Sequence, residues 1–159
     1  MNCNLKQIDI ENPIHVEALG RVADWSAECS SMRSYTLEEL VRQPLGIAGF
    51  DNEELLGYVA LTEISEISGH RFARIGALTV AHAAQGAGLA GDLIKSLVDS
   101  ATDIVPALDN FYAFVHGRSL KPFLDNGAVI IGARMPAADT GCNTIVSIDN
   151  QGVNNNENH

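Results

Sequence analysis

Six successive residues, Gly86, Ala87, Gly88, Leu89, Ala90 and Gly91, comprise three glycines, two alanines and one leucine, and they sit where an apolar strand-like run gives way to a helical pattern. With so little side-chain bulk, their backbone N–H groups can close on a ligand. A helix that starts in the same place aims its positive dipole end at the same spot. The chemistry this serves is anion binding, most naturally of a phosphate.

The elements that must hold this loop can be read on either side of it. Ile75 to Val80 is apolar and strand-like, and apolar residues at Leu89, Leu93, Ile94, Leu97 and Val98 have the spacing of one buried helix face. Gly86, Gly88 and Gly91 fit G-x-G-x-x-G, the fingerprint of a dinucleotide-binding oxidoreductase. That fingerprint follows its strand at once and belongs to a series of βαβ units, whereas here Ala81 to Gln85 intervene. A second pattern accounts for more of the chain. Leu78 and Val80 form L-x-V, and after a spacer Gln85, Gly88 and Ala90 form Q/R-x-x-G-x-G/A. In these residues the chain resembles the GNAT N-acetyltransferases at their coenzyme A pyrophosphate loop.

A further match lies downstream, where the family carries a pattern like N-x-R-A-x-x-x-Y-x-x-x-G-F. His116, Arg118, Ser119, Phe123, Gly127 and Ala128 fall at the corresponding intervals. The resemblance implies a mixed α/β fold, with a mostly antiparallel central sheet flanked by helices on both faces. It implies transfer of an acetyl group from acetyl-CoA, as co-substrate, to a primary amine of a small molecule or protein. Backbone of Leu78, Thr79 and Val80 would hold the pantetheine arm, Gln85 to Gly91 the pyrophosphate, and His116, Ser119 and Phe123 would contact the coenzyme. The N–H of Val80 would stabilise the oxyanion, and Glu63 or Glu66 would be the general base.

Two departures bear on activity. Gln85 and Ala87 stand where the family often has basic residues, so phosphate binding is expected to be weak unless Arg118, Lys95 or Lys121 compensates. Phe123 stands at the family's usual tyrosine and has no proton to give a leaving thiolate, which leaves Ser119, Tyr112 or water. A catalytically silent acyl-CoA sensor or interaction module is therefore the alternative reading. His82, just beyond Val80, is near neutral in its ordinary pKa and could shuttle protons, although a solvated loop histidine is the simpler reading.

Composition bounds the rest. A chain of 159 residues with 46% hydrophobic residues can bury a core without staples, and we expect one domain over 1–149 followed by a polar tail over 150–159. The net charge of −10 argues against nucleic acid or an anionic membrane as partner and suits a cationic acceptor. Nothing at the N-terminus reads as a secretory signal, and no apolar run is long enough to span a bilayer, so the expected address is cytoplasmic. Cys3, Cys29 and Cys142 have no metal-site spacing and are expected to be reduced thiols. The closing strands of this fold are compatible with a homodimer.

In chain order the patterns predict a strand over Leu5–Ile10 and a helix over Ile14–Cys29. A capping box of Thr36 and Glu39 opens a short helix over Leu37–Arg42. Strands follow over Leu45–Phe50, Leu55–Ile64 and His70–Val80, then a helix over Leu89–Thr102 and a strand over Phe111–Val115. Glu63, Glu66, Ser68 and Gly69 are read as the connection before the long strand, and Ser119 as the N-cap of a helix containing Pro122. Val129–Ile131 and Thr144–Ile148 close the sheet.

Overall fold

The computed structural model describes residues 2–29, 33–133 and 144–150. Cys142 and the expected tail from residue 151 onward lie outside the described residues. Within them the chain runs β1 (Asn4–Gln7), α1 (Pro13–Glu28), α2 (Leu37–Val41), β2 (Leu45–Asp51), β3 (Glu54–Ile67) and β4 (His70–Val80). It continues with α3 (Leu89–Ile104), β5 (Asn110–Val115), α4 (Leu120–Asp125), β6 (Val129–Ala133) and β7 (Thr144–Asp149). The sheet has 7 strands in the order β1-β2-β3-β4-β5-β7-β6. Every adjacent pair is antiparallel except β4 with β5. This is the expected mixed, mostly antiparallel α/β fold, and its one parallel pair is not the βαβ series that a dinucleotide fingerprint needs.

Local chemistry explains the helix starts. Pro13 opens α1, where a missing N–H is harmless, and the Asn12 side chain accepts from the Ile14 N–H at 3.0 Å. In α2 the Thr36 hydroxyl accepts from the Glu39 N–H and the Glu39 carboxylate accepts from the Thr36 N–H, each at 3.1 Å. The first strand is shorter than the sequence suggests. Its ladder ends at Gln7↔Ile47, because Asp9 gives its N–H to His15 Nδ1 at 2.9 Å and its carbonyl to Asn12, turning the chain into α1. Ile10, read as a strand residue, is 57% exposed.

The sheet separates two cores. On one face α3 and α4 cover Leu61, Ala73, Ile75, Phe111, Ala113 and Val115. On the other face α1 and α2 cover Ala48, Phe50, Tyr58, Ala60 and Ala77. The second cover stops at β4, so Tyr112 and Phe114 of β5 are only half-buried on that face. Asn150, expected in the tail, is buried at 4%: it donates to the Leu108 carbonyl at 2.8 Å and accepts from Thr102 at 3.2 Å. Its N–H also reaches the Asp109 carbonyl, so it closes the base of the sheet.

The region between Ile64 and His70 is a correction. Glu63 and Glu66 lie inside β3, which runs to Ile67 and pairs Ile67↔His70. Ser68 (φ 52) and Gly69 (φ 82) make a two-residue turn of the primed kind, leaving no room for a longer connection. The alternation that would have marked the strand is blurred because this end of the hairpin projects past both cores.

Candidate active site

The one parallel pair creates the site. β4 and β5 are joined only at Phe72↔Asn110, Ala73↔Phe111 and Arg74↔Tyr112, and beyond Arg74 the two strands fork. Asp109 fastens the closed end: its carboxylate accepts the Arg71 N–H and its own N–H reaches the Arg71 carbonyl, both at 2.9 Å. Past the fork, β5 spends its hydrogen bonds on β7. One edge of β4 is thereby left open.

Two bulges shape that edge. Thr62 is an extra residue on β3 between Leu61↔Ile75 and Glu63↔Arg74. On β4 the extra residue falls between Ala60↔Gly76 and Tyr58↔Thr79, where Ala77 has φ 54, an unusual value for a residue with a side chain. Gly76 is forced by packing, since a Cβ there would lie 2.9 Å from Thr62 Cγ2 and 3.4 Å from the Tyr35 hydroxyl. After the bulge, Ala81 N–H bonds the Leu56 carbonyl, so Thr79 and Ala81 face β3. Alternation then turns the N–H and C=O of Leu78 and Val80 into the fork.

At the mouth, the five-residue spacer that follows Val80 coils into a 3-10 turn, His82–Ala84, which packs Ala84 in the core and leaves His82 exposed. Gly86 (φ 85) and Gly88 (φ 79) then take left-handed conformations, with nothing within 4 Å of where a Cβ would stand. Gly88 ends the loop and α3 begins at Leu89, whose side chain is buried in the core. The helix's first turn has no acceptor for the N–H groups of Leu89, Ala90 and Gly91, its first closing bond being Asp92 N–H to the Gly88 carbonyl at 3.2 Å. Among the described residues the N–H groups of Gly86, Ala87 and Gly88 have no acceptor either. Among the described residues, six consecutive amides are thus without an acceptor at the mouth of the fork.

Side chains add little positive charge to this cradle. The Gln85 amide turns back and donates to the Val80 carbonyl at 3.3 Å. Lys95 and Lys121 pair with Asp99 and Asp125 on their own helices, at 2.9 and 2.6 Å. Arg118 is exposed and makes no ion pair among the described residues. Asp92 stands in the first turn of α3. Its field reaches Cys3, whose thiol is pushed up by burial first and then by Asp92 and Asp51. Gly91 serves packing as well, because its carbonyl accepts from Asn126 at the end of α4 at 3.0 Å.

The residues after β5 differ from expectation. Ser119 makes no side-chain cap and is itself helical (φ −95, ψ −1). The capping atom is His116 Nδ1, which accepts the Arg118 N–H at 3.2 Å and opens the turn Gly117–Ser119, while Ser119 N–H returns to the His116 carbonyl at 2.9 Å. Phe123 is 2% exposed within the core under α4 and offers no surface to the fork. Its side chain packs there, at the position that the sequence reading gave to a coenzyme contact.

The two glutamates separate clearly. Glu66 pairs with Arg71 near the hairpin tip, nine positions along β4 from Val80, or about 30 Å at strand rise. Glu63 pairs with Arg74 at the apex of the fork. Arg74 in turn pairs with Tyr112, so Glu63, Arg74 and Tyr112 form one row across three strands. The Arg74 guanidinium lies 4.7 Å from the centre of the Phe114 ring, and Tyr112 meets Phe114 edge-on at 6.0 Å. Burial pushes the Tyr112 phenol up, the Glu63 carboxylate pushes it further, and Arg74 opposes them. Sequence reading missed Arg74, Thr62, Gly76 and Phe114. The signal available was an arginine, Arg74, set between the apolar residues Phe72, Ala73, Ile75 and Ala77 of β4.

Comparison with known proteins agrees with this geometry. The family model described as Acetyltransferase (GNAT) family matches residues 10–116. No curated protein matches the chain in sequence. The fold is similar to a chain of the NatC complex bound to Gag peptide and CoA, at TM-score 0.76 and 15% identity over 94% of this chain and 99% of that one. It is similar to Arabidopsis thaliana NAA60 in complex with acetyl-CoA, at TM-score 0.73 and 18% identity over 93% and 98% of the two chains. The spermidine/spermine N-acetyltransferase SpeG from Vibrio cholerae gives TM-score 0.72 and 18% identity over 98% of both chains.

Proposed function

The chain belongs to the GNAT acetyltransferase family, and from that premise we propose that it transfers an acetyl group from acetyl-CoA to a primary amine of a small molecule or protein. The observation that carries this reading is the run of six unbonded amides, Gly86 to Gly91, at the mouth of a fork whose β4 edge is open. These groups fit the coenzyme without borrowing side chains. Amides at a helix start suit a diphosphate, and the N–H and C=O of Leu78 and Val80 suit an amide-bearing arm laid along β4 like an added strand. Gln85, bonded to the Val80 carbonyl, must yield for that carbonyl to accept from the arm.

The base and the oxyanion donor must serve the same carbonyl carbon, and this revises the role first given to Val80. Val80 lies six positions along β4 from the partner of Glu63, about 20 Å at strand rise. Leu78 N–H, two residues nearer the apex, is the better oxyanion donor, and Val80 holds the arm. Glu63, through water, removes a proton from the acceptor ammonium; the freed amine attacks the thioester carbonyl and a C–N bond forms. The C–S bond then breaks, the thiolate takes a proton from the Tyr112 phenol, and the second proton of the attacking nitrogen, lost as the amide forms, returns through water to Tyr112 while Glu63 releases its own to solvent. Ser119 and His82 are spare proton carriers at the mouth, and Glu66 is too distant to take part.

A second reading rests on the same loop. The diverted Gln85, Ala87 and the acidic Asp92 all weaken the cradle, which favours a coenzyme A-binding sensor with little turnover. Calorimetry with acetyl-CoA, run beside an assay of free thiol release over an amine panel, separates the two. Binding with turnover supports the transferase, binding without turnover on any amine supports the sensor, and no binding removes both. The chain is taken as one domain over 1–149 with a cytoplasmic address, acting without nucleic acid or membrane; among the described residues no helix is long and apolar enough to cross a bilayer. A homodimer would use the β6 edge, where Val129, Ile130 and Ile131 are 60%, 56% and 60% exposed.

A further inference from the structure

Because α3 and α4 close one face of the fork, the face open to a second substrate at its apex, among the described residues, is the one that α1 and α2 leave uncovered beyond β4. The groups waiting there are Glu63, Arg74, Tyr112 and Phe114, with Thr62 and the Tyr35 hydroxyl behind Gly76. Arg74 is the unexpected member. It is half-buried, its guanidinium stacks on Phe114, and among the described residues it makes neither an ion pair nor a hydrogen bond. A cation drawn partly out of water whose donors bond to nothing gains from an anionic group arriving to meet them, even with the Glu63 carboxylate in the same row. The other charge in the row is Glu63, one strand away, at a cross-strand Cβ spacing of roughly 4.5–5.5 Å.

Resting on the acetyltransferase reading, we propose that the acceptor is a small zwitterion, an amino acid whose amine and carboxylate lie one or two carbons apart. The carboxylate docks on Arg74 and the amine is held beside Glu63. A guanidinium matches a planar carboxylate with two parallel hydrogen bonds, which gives orientation as well as attraction. A phosphate would bring a second negative charge against Glu63. A polyamine would bring a second positive charge against Arg74, so this apex disfavours the kind of substrate that the structurally similar spermidine/spermine enzyme takes. The half-buried ring of Tyr112 lies beside the carbon skeleton.

The test uses the full chain with acetyl-CoA and follows thiol release. Glycine and β-alanine are each compared with their methyl amide and the matching alkylamine, with spermidine and an aspartate-initiated peptide as further arms. The expected result is a kcat/KM for the carboxylated acceptors about 10- to 100-fold above their amides, the worth of one charge-assisted pair. Arg74→Gln should collapse that ratio toward one, and Arg74→Lys, which keeps the charge, should retain part of it. Should no acceptor turn over, the same ratio is read from calorimetric binding of the panel to the coenzyme A complex. Equal use of the carboxylated acceptors and their amides or amines, a ratio that survives Arg74→Gln, preference for spermidine or for the peptide, or no binding of the carboxylated acceptors, each overturns the zwitterion. Loss of acetyl-CoA binding would instead overturn the acetyltransferase reading beneath it.

Discussion

The mouth and the apex of the fork are built from different materials. At the mouth, Gly86 to Gly91 offer main-chain amides and the start of α3, and the side chains nearby are neutral or acidic. At the apex, β3, β4 and β5 contribute one charged or aromatic side chain each in a single row, Glu63, Arg74 and Tyr112. A main-chain site needs only that nothing obstruct it, so glycine suffices and sequence order within the loop fixes the geometry. A side-chain site depends on register between strands far apart in the chain. The mouth is thus suited to the invariant part of a reaction, the coenzyme, and the apex to the part that differs between substrates.

This division can be broken by experiment. The largest effect is expected at the apex: Glu63→Gln should lower kcat by roughly 100- to 10,000-fold while acetyl-CoA affinity holds, and Glu66→Gln, at the hairpin tip, should leave both where they are. Equal losses from the two variants, in steady-state kinetics and calorimetry, would undo the assignment of the apex. At the mouth, Gly88→Val places a branched side chain at φ 79, and acetyl-CoA affinity should fall about 100-fold as the amides lose their aim. A variant that still binds as the parent does would show that the cradle lies elsewhere.

Phe123 tests whether the helix after β5 belongs to either region. Truncation to alanine should cost about 3–5 kcal/mol in denaturant unfolding, and Phe123→Tyr should bury an unneeded hydroxyl without raising kcat. A gain in turnover from Phe123→Tyr would return that position to the site. The smallest effect should come from Asp92→Asn: removing a carboxylate from the positive end of α3 should tighten acetyl-CoA binding about 2- to 5-fold at low salt, fading as salt is added.

A titration sharpens the apex further. The ordinary phenol value is 10.0, and Tyr112 lies above it through burial and the Glu63 charge, against the pull of Arg74. Its ionisation, followed by NMR of ring-labelled tyrosine, should move up in Arg74→Gln and down in Glu63→Gln. Shifts of the opposite sign, or none, would mean that the row does not form.

Much of this was legible in the residues. The helix starts at Pro13 and Thr36, the strand His70–Val80 and the helix from Leu89 are set by caps and periodicity that act within a few residues. Glycine spacing marked the cradle because the left-handed turns at Gly86 and Gly88 are local demands on φ. Glu66 was indistinguishable from Glu63, since three residues along a strand look alike until a partner strand says which one meets the fork. Phe123 matched an interval in a pattern, yet α4 rotates it into the core.

By itself, then, the sequence determined the order of elements and the glycine turn whose amides stay unbonded, because both follow from short-range sterics and from hydrogen bonds along one stretch of chain. Only the tertiary structure decided that Glu63, Arg74, Tyr112 and Phe114 share an apex and that Leu78, not Val80, lies nearer to it. Two offsetting bulges and a parallel pairing of three residues set that register. Such contacts form between strands whose alignment is fixed by the packing of the whole sheet, which no single segment encodes.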